Sequence, residues 1–169
     1  INAMFVMGYN TKIYFCSARW PGCVHDSRVL RNSVLYELFE TGWRPTPGGI
    51  ILADSGCACS DWLITPLNFA NNLAEQRFNA AHKKTRSVVE RGIGILKQRF
   101  HVLKTPMRFS NVDFCGEVIK CCAVLHNLLI DYDAVIDEHI ALDNNDANEI
   151  HNLHDNNNAR RLQLIQHFN

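Results

Sequence analysis

The sequence predicts an α/β domain, and three observations carry that expectation. Two aromatic and apolar runs flank turn residues at the start, a helical pattern follows, and a continuous apolar run, "IILA", comes after it. Strand, helix, strand in that order implies a layered α/β architecture.

"INAMFVM" and "KIYFCSARW" read as an antiparallel hairpin, because "GYNT" between them supplies turn chemistry, and Pro21-Gly22 ends the second strand. In "HDSRVLRNSVLYELFETG" one helical face carries Leu30, Val34 or Leu35, and Leu38. Asp26 or Ser27 is available as N-cap and Gly42 lies beyond the end, so one helix crossing back over the sheet is expected. "RPTPGG" is a loop, and "IILA" is too short and too continuously apolar for a surface helix, which predicts a buried strand ending at Asp54. "CACSDWLITPLNFANNLAEQRFNAAH" shows no clean period and reads as a short helix followed by loop.

Periodicity returns at Val89, Ile93, Leu96, Phe100 and Leu103, the spacing of a helix burying one stripe. Gly92 and Gly94 weaken that helix by about 1 kcal/mol each relative to alanine. "DFCGEVIKCCAVLHNLLIDY" predicts a further helix, apolar nearly all round and therefore buried. The domain is placed over residues 1–130. Residues 131–169 are acidic and asparagine-rich, which predicts a flexible tail with room for a short helix at its end.

With 169 residues, 47% of them hydrophobic, the chain has material for one domain with a sizeable core. No apolar run approaches the roughly 18 residues of a membrane span, so no membrane partner is expected. Seven cysteines, without the pattern of a signal peptide, favour reduced thiols and an intracellular compartment. The chain opens in residues that read as a strand already under way, without an initiator methionine, which predicts an N-terminally truncated piece of something longer.

Seventeen basic and seventeen acidic residues balance overall but are segregated along the chain. Arg77, Lys83, Lys84, Arg86, Arg91, Lys97, Arg99 and Lys104 have Glu90 as the only acid among them, and from Asp131 onward acids dominate. Such a basic stretch repels itself unless a polyanion is near, so DNA is the expected partner. Lys83, Lys84, Arg86, Arg91, Lys97 and Arg99 are the candidate phosphate contacts.

Two carboxylates stand out. Asp54 ends an apolar run before Ser-Gly, the place where α/β proteins put ligands, although an aspartate there also caps its own turn. Glu90 lies on the basic helix about 100° from its buried stripe, where an ordinary ion pair with Arg86 is the plainer role. Convergence of Asp54 and Glu90 on a divalent cation is the alternative, since hard cations prefer carboxylate oxygens.

The motifs "WPGCVHDSRVLRNS", "LADSG", "WLITPL", "NAAHKKTRSVVERGIGILKQRF" and "CCAVLHNLL" change the balance. In order and approximate spacing, from about Asn2 to Leu129, the chain resembles the Harbinger transposase-derived nucleases of the DDE superfamily. That resemblance implies a ribonuclease H-like fold, a mixed sheet flanked by helices, with an Asp, Asp, Glu triad for Mg²⁺ or Mn²⁺. Its second aspartate falls on Asp54 and its glutamate on Glu90. The first belongs to an upstream strand that this chain lacks, and Asp26, inside the "HDS" motif, is a weaker candidate explained by helix capping. Cys57 stands where an aromatic residue is usual. The resemblance further implies a nuclear protein, with cytoplasm as a second compartment, and a separate Myb-like protein that supplies sequence recognition.

Zinc on Cys57, Cys59, Cys121, Cys122 and His126 is disfavoured by their spacing. His25, His82 and His101 are candidate phosphate contacts or supports. The expected function is a metal-dependent DNA endonuclease with an incomplete triad. A catalytically inactive, domesticated DNA-binding or interaction module is the alternative.

Overall fold

A computed structural model describes residues 1–109, 111–132 and 159–166. Its elements in chain order are β1 (Asn2–Met7), β2 (Ile13–Trp20), α1 (Asp26–Arg31), α2 (Val34–Glu40), β3 (Ile51–Leu52), β4 (Leu63–Ile64), α3 (Leu73–Arg99), a 3-10 turn (His101–Leu103), α4 (Val112–Asp131) and α5 (Ala159–Gln166). The α/β class holds. The chain divides into two compact units, Ile1–His25 with Val88–Asp146 and Asp26–Ser87 with Ala147–Asn169.

In the first unit β1 and β2 pair antiparallel, with Phe5 opposite Cys16 and Met7 opposite Ile13. The hairpin turn is closed by Gly8 N–H to the Lys12 carbonyl at 3.0 Å and Thr11 N–H to the Gly8 carbonyl at 2.9 Å. Thr11 itself sits at φ 65°, a left-handed conformation that a β-branched residue adopts only under constraint. The constraint comes from α4. His126, fully buried, bonds through Nε2 to the Thr11 carbonyl at 3.1 Å. The Asn127 side chain accepts from Ile13 N–H at 2.8 Å and donates to the Ile13 carbonyl at 2.7 Å. One side-chain amide thus replaces the neighbouring strand that β2 would otherwise need at that point.

Helix α4 can deliver these groups because it lies hard against β2. A Cβ on Gly116 would come within 2.2 Å of the Ala18 carbonyl oxygen, so only glycine fits. Gly92 in α3 is likewise buried, and a Cβ there would meet Met7 Sδ at 2.4 Å. It is a packing position as well as a weak point in the helix. The unit's core gathers Ile13, Leu96, Cys122 and Ala123, with Phe5, Met7, Phe100 and Leu103 packed on it.

In the second unit β3 and β4 pair parallel, Ile51 opposite Leu63 and Leu52 opposite Ile64. Trp62, Leu63 and Ile64 are buried, and Ile64 joins Ala74, Phe78 and Ile165 in one cluster. Trp62 packs edge-on against Tyr36 and at a tilt against Phe39 while its indole N–H donates to Glu40 at 3.0 Å, so both its apolar body and its polar edge are satisfied. Helix α3 repeats the device of α4. Asn79 exchanges two hydrogen bonds with the Leu67 backbone, each 2.9 Å, and buried His82 bonds through Nε2 to the Ile64 carbonyl at 3.1 Å.

Several expectations need correction. The described strands form two separate two-stranded sheets, and β3 takes β4 as its partner, where one mixed sheet with a helix crossing over it was expected. The single helix expected over 26–40 is two, because the Ser33 hydroxyl accepts from Tyr36 N–H at 3.2 Å and caps a new helix. Its buried face is Val29, Leu30, Leu35 and Phe39, while Val34 and Leu38 are exposed. The unperiodic segment hides β4, and α3 starts already at Leu73. Helix α4 is buried on one face only, through Cys115, Gly116, Ile119, Cys122, Ala123 and His126. Most of the expected tail lies outside the described residues. Within it, α5 buries Arg161, whose guanidinium reaches the Thr65 and Pro66 carbonyls at 3.3 Å. Among the described residues no helix is long and apolar enough to cross a membrane.

Replacing Asn127 with leucine leaves the Ile13 N–H and carbonyl without partners. The expected loss is about 2 kcal/mol, read from the urea midpoint. The two clamp histidines set an acid limit. Burial is the main cause that lowers the pKa of both His82 and His126 from the ordinary 6.5. Below that value the unfolded chain takes up protons that the folded chain refuses. Stability is therefore complete above about pH 6.5 and falls as pH drops through it, toward the depressed folded-state values. Urea midpoints at about pH 7.5 and about pH 5.5 measure the difference, and a His82→Gln, His126→Gln double variant shows a smaller one.

Candidate active site

The second unit builds the surroundings of Asp54 from its pairing outward. Ala53 N–H donates to the Ile64 carbonyl at 2.9 Å, the same oxygen that His82 grips. A carbonyl only accepts, so His82 presents an Nε2–H there. Helix α3 thereby fixes the strand end from which Asp54 projects. Asp54 is half-buried, and its Oδ1 accepts from Gly56 N–H at 3.1 Å while Cys57 N–H reaches the Asp54 carbonyl at 3.3 Å. The turn-capping role of Asp54 is thus real, and it orients the carboxylate.

Cys57 follows directly. Burial pushes its thiol up to about 12, with the charges of Asp54 and Asp26 and a hydrogen bond to Asp54 adding to the effect and Arg31 opposing it. The thiol stays protonated and serves Asp54 as a donor. Two of the predicted carboxylates, Asp54 and Asp26, therefore act on one half-buried cysteine. Beside them lies a small cavity of about 120 Å³ lined by Ser27, Arg31, Tyr36, Cys57, Cys59 and Ser60 among others. Arg31 is a member of this site that sequence reasoning passed over, and Cys57 enters that reasoning only as a departure from the family pattern and as a zinc ligand, without its contact to Asp54. Their only signal is proximity to "HDS" and "DSG", which no spacing rule turns into contact.

The remaining candidates lie on α3. Glu90 is exposed and belongs to the first unit, as do exposed Arg91 and Lys97. Lys83 and Lys84 are exposed, and Arg86 half-buried, on the portion belonging to the second. Arg99 is turned inward. Its Nη1 lies 3.3 Å from His126 Nδ1 and 3.3 Å from the His126 carbonyl. Since Arg99 can only donate, His126 Nδ1 accepts and its Nε2–H is the donor to Thr11. Both ring nitrogens of His126 are committed to the fold, which removes it as a zinc ligand. Among the described residues no group of three or more His, Cys, Asp or Glu side chains is gathered to hold a metal ion.

The family model for DDE superfamily endonucleases matches residues 1–127. The chain belongs to the Harbinger-derived DDE superfamily endonucleases. It is similar to the protein named "Putative nuclease HARBI1" of Mus musculus, with 35% identity over 135 residues, covering 78% of this chain and 38% of that protein. The Homo sapiens protein of the same name is 32% identical over the same coverage. "Protein ALP1-like" of Arabidopsis thaliana is 28% identical over 144 residues, 78% of this chain and 36% of that protein. The chain spans less than two-fifths of the length of these curated relatives. No solved structure matches it.

Arg99→Ala strips His126 of its Nδ1 partner. A destabilisation of about 1–3 kcal/mol is expected in urea titrations, whereas Lys83→Ala at an exposed position stays within about 0.5 kcal/mol of the parent.

Proposed function

We propose that the chain is part of a metal-dependent DNA endonuclease of transposase origin, with a ribonuclease H-like fold, hydrolysing phosphodiester bonds. The observation that carries this reading is the oriented Asp54 carboxylate two residues beyond β3, in a chain whose family match covers residues 1–127. Asp54 and Glu90 are the residues that would hold Mg²⁺ or Mn²⁺. Their donors are oxygens only, which suits a hard cation. When bound, such an ion polarises a phosphate oxygen and lowers the pKa of water toward neutrality.

The protein's own part is positioning. The Gly56 N–H and the Cys57 thiol hold Asp54, and His82 fixes the strand behind it. Lys83, Lys84, Arg86, Arg91 and Lys97 supply phosphate contacts, which place a DNA strand and add salt-dependent affinity without reading sequence. Base recognition is assigned to a separate Myb-like partner, and the site of action to the nucleus. Both assignments rest on the family resemblance.

The test is nicking of supercoiled plasmid by the 169-residue chain with added Mn²⁺ or Mg²⁺, alongside calorimetric titration of Mn²⁺. Nicking is expected only with metal, and Asp54→Ala or Glu90→Ala should lower it at least about 100-fold and weaken Mn²⁺ binding. Asp26→Asn should have the smaller effect. Equal nicking by the parent and both alanine variants refutes the assignment. Salt-sensitive DNA binding without metal-dependent nicking assigns the chain instead to an inactive DNA-binding module.

A further inference from the structure

Helix α5 lies outside the family match, which ends at residue 127, yet it is seated in the core of the second unit. Eight residues are too few to hold a helix in water alone, so its folding and its docking are one event. Its inner face is Arg161, Leu164 and Ile165, at helical spacing on one side, while Gln163 and Gln166 are exposed. Ile165 joins Ile64, Ala74 and Phe78, with Leu164 packed against them. Arg161 is the exception on that face. Only 2% exposed, it carries a guanidinium into a position that leucine would fill without losing hydration, and a buried charge persists only where hydrogen bonds replace its water.

Those bonds go to the segment that follows β4. Arg161 Nη1 lies 3.3 Å from the Thr65 carbonyl, 3.3 Å from the Thr65 hydroxyl and 3.3 Å from the Pro66 carbonyl, and its hydrogens are shared among them. On either side of these residues the backbone is held by other groups. The Ile64 carbonyl accepts from His82 and from Ala53 N–H, and the Leu67 carbonyl accepts from Asn79. Every carbonyl from Ile64 to Leu67 is therefore bound, the outer two by side chains of α3 and the inner two by α5. Among the described residues β4 pairs only with β3, so its exit has no further strand to steady it. Without Arg161 the inner carbonyls are released and the segment can swing about its outer anchors.

We propose that Arg161 is a positioning residue for Asp54: by pinning Thr65 and Pro66 from α5, it keeps the Ile64 carbonyl in line for Ala53 N–H, one peptide away from the Asp54 carboxylate. The pinning stands on the geometry alone, and its consequence for a metal ion rests on the nuclease reading above. A helix that merely fills the core would behave differently. Exchanging a buried charge for an apolar side chain of similar length is often neutral or stabilising, and it would leave the β3–β4 pairing as tight as before.

Amide hydrogen exchange of the whole chain, followed by NMR, separates the two. It reads Ala53 N–H, with the amide of buried Ile119 in the other unit as reference. Arg161→Met should speed Ala53 exchange at least about tenfold, leave Ile119 unchanged and keep the melting temperature within about 3 °C. Arg161→Lys should fall between, and Gln163→Ala, on the exposed side of α5, should match the parent. In the Mn²⁺ titration Arg161→Met should raise the dissociation constant about three- to tenfold. Unchanged Ala53 exchange overturns the proposal, as does an acceleration that Ile119 shares equally, or an unchanged Mn²⁺ affinity in a parent that binds the ion. If Arg161→Met does not fold, Arg161→Lys decides by the same two amides. A parent that binds no Mn²⁺ refutes the nuclease reading alone, and the exchange rates still decide the role of Arg161.

Discussion

The constraint on which both units depend is that two-stranded sheets leave backbone groups without partners. A lone hairpin or a pair of two-residue strands is marginal in water, and each buried N–H or carbonyl left unpaired costs as much as a lost hydrogen bond. The chain answers twice with the same chemistry. A histidine and an asparagine on a long helix reach down to the strand or the segment just after it. His126 and Asn127 take the Thr11 carbonyl and the Ile13 backbone, and His82 and Asn79 take the Ile64 carbonyl and the Leu67 backbone. Asparagine suits the role because its amide carries a donor and an acceptor side by side, the pattern a neighbouring strand would present.

This clamp transmits to the site. In the second unit the chain of contacts runs from His82 to the Ile64 carbonyl, from that carbonyl to Ala53 N–H, and through one peptide to Asp54. Motions of a two-residue strand would otherwise swing the carboxylate by far more than the half-ångström that a metal or a phosphate oxygen tolerates. The Asp54 side chain then spends part of its bonding capacity on Gly56 and Cys57, trading freedom for orientation. The hydrogen bond that caps the turn also orients the Asp54 carboxylate, which is the geometry that the proposed metal site would use.

What the sequence made legible follows from how local each cause is. The β1–β2 hairpin and the two long helices are written in periodicity and turn residues, and they are found; the buried strand expected to end at Asp54 is a half-buried pair, Ile51–Leu52, that stops two residues before it. The break at Ser33 was missed because a serine inside an apolar-periodic run looks like a tolerated polar position until its hydroxyl caps a neighbouring N–H. Strand β4 was missed because Leu63-Ile64 draws its identity from pairing with β3, a contact between residues that no window of sequence joins. The same limit hid Arg31 and the contact of the Cys57 thiol with Asp54. Arg99 illustrates the reverse error: a cation in a basic run reads as a phosphate contact, yet its guanidinium closes a histidine's hydrogen bonds.

The distinction bears on what a family match certifies. "NAAH" and "LHN" are among the motifs that carry the resemblance, and in both the histidine and asparagine close backbone hydrogen bonds. Gly92 in "VERGIG" packs against the flexible Met7 side chain. A large part of the matching sequence therefore specifies how helices dock on short strands, and a chain can retain all of it while its carboxylates are free to change. Fold and chemistry are carried by different residues of the same motifs, one set facing the backbone of the strands and the other facing outward. Within this frame Asp54 caps a turn of the fold with one oxygen, and under the proposed function the remainder of its carboxylate would serve the chemistry.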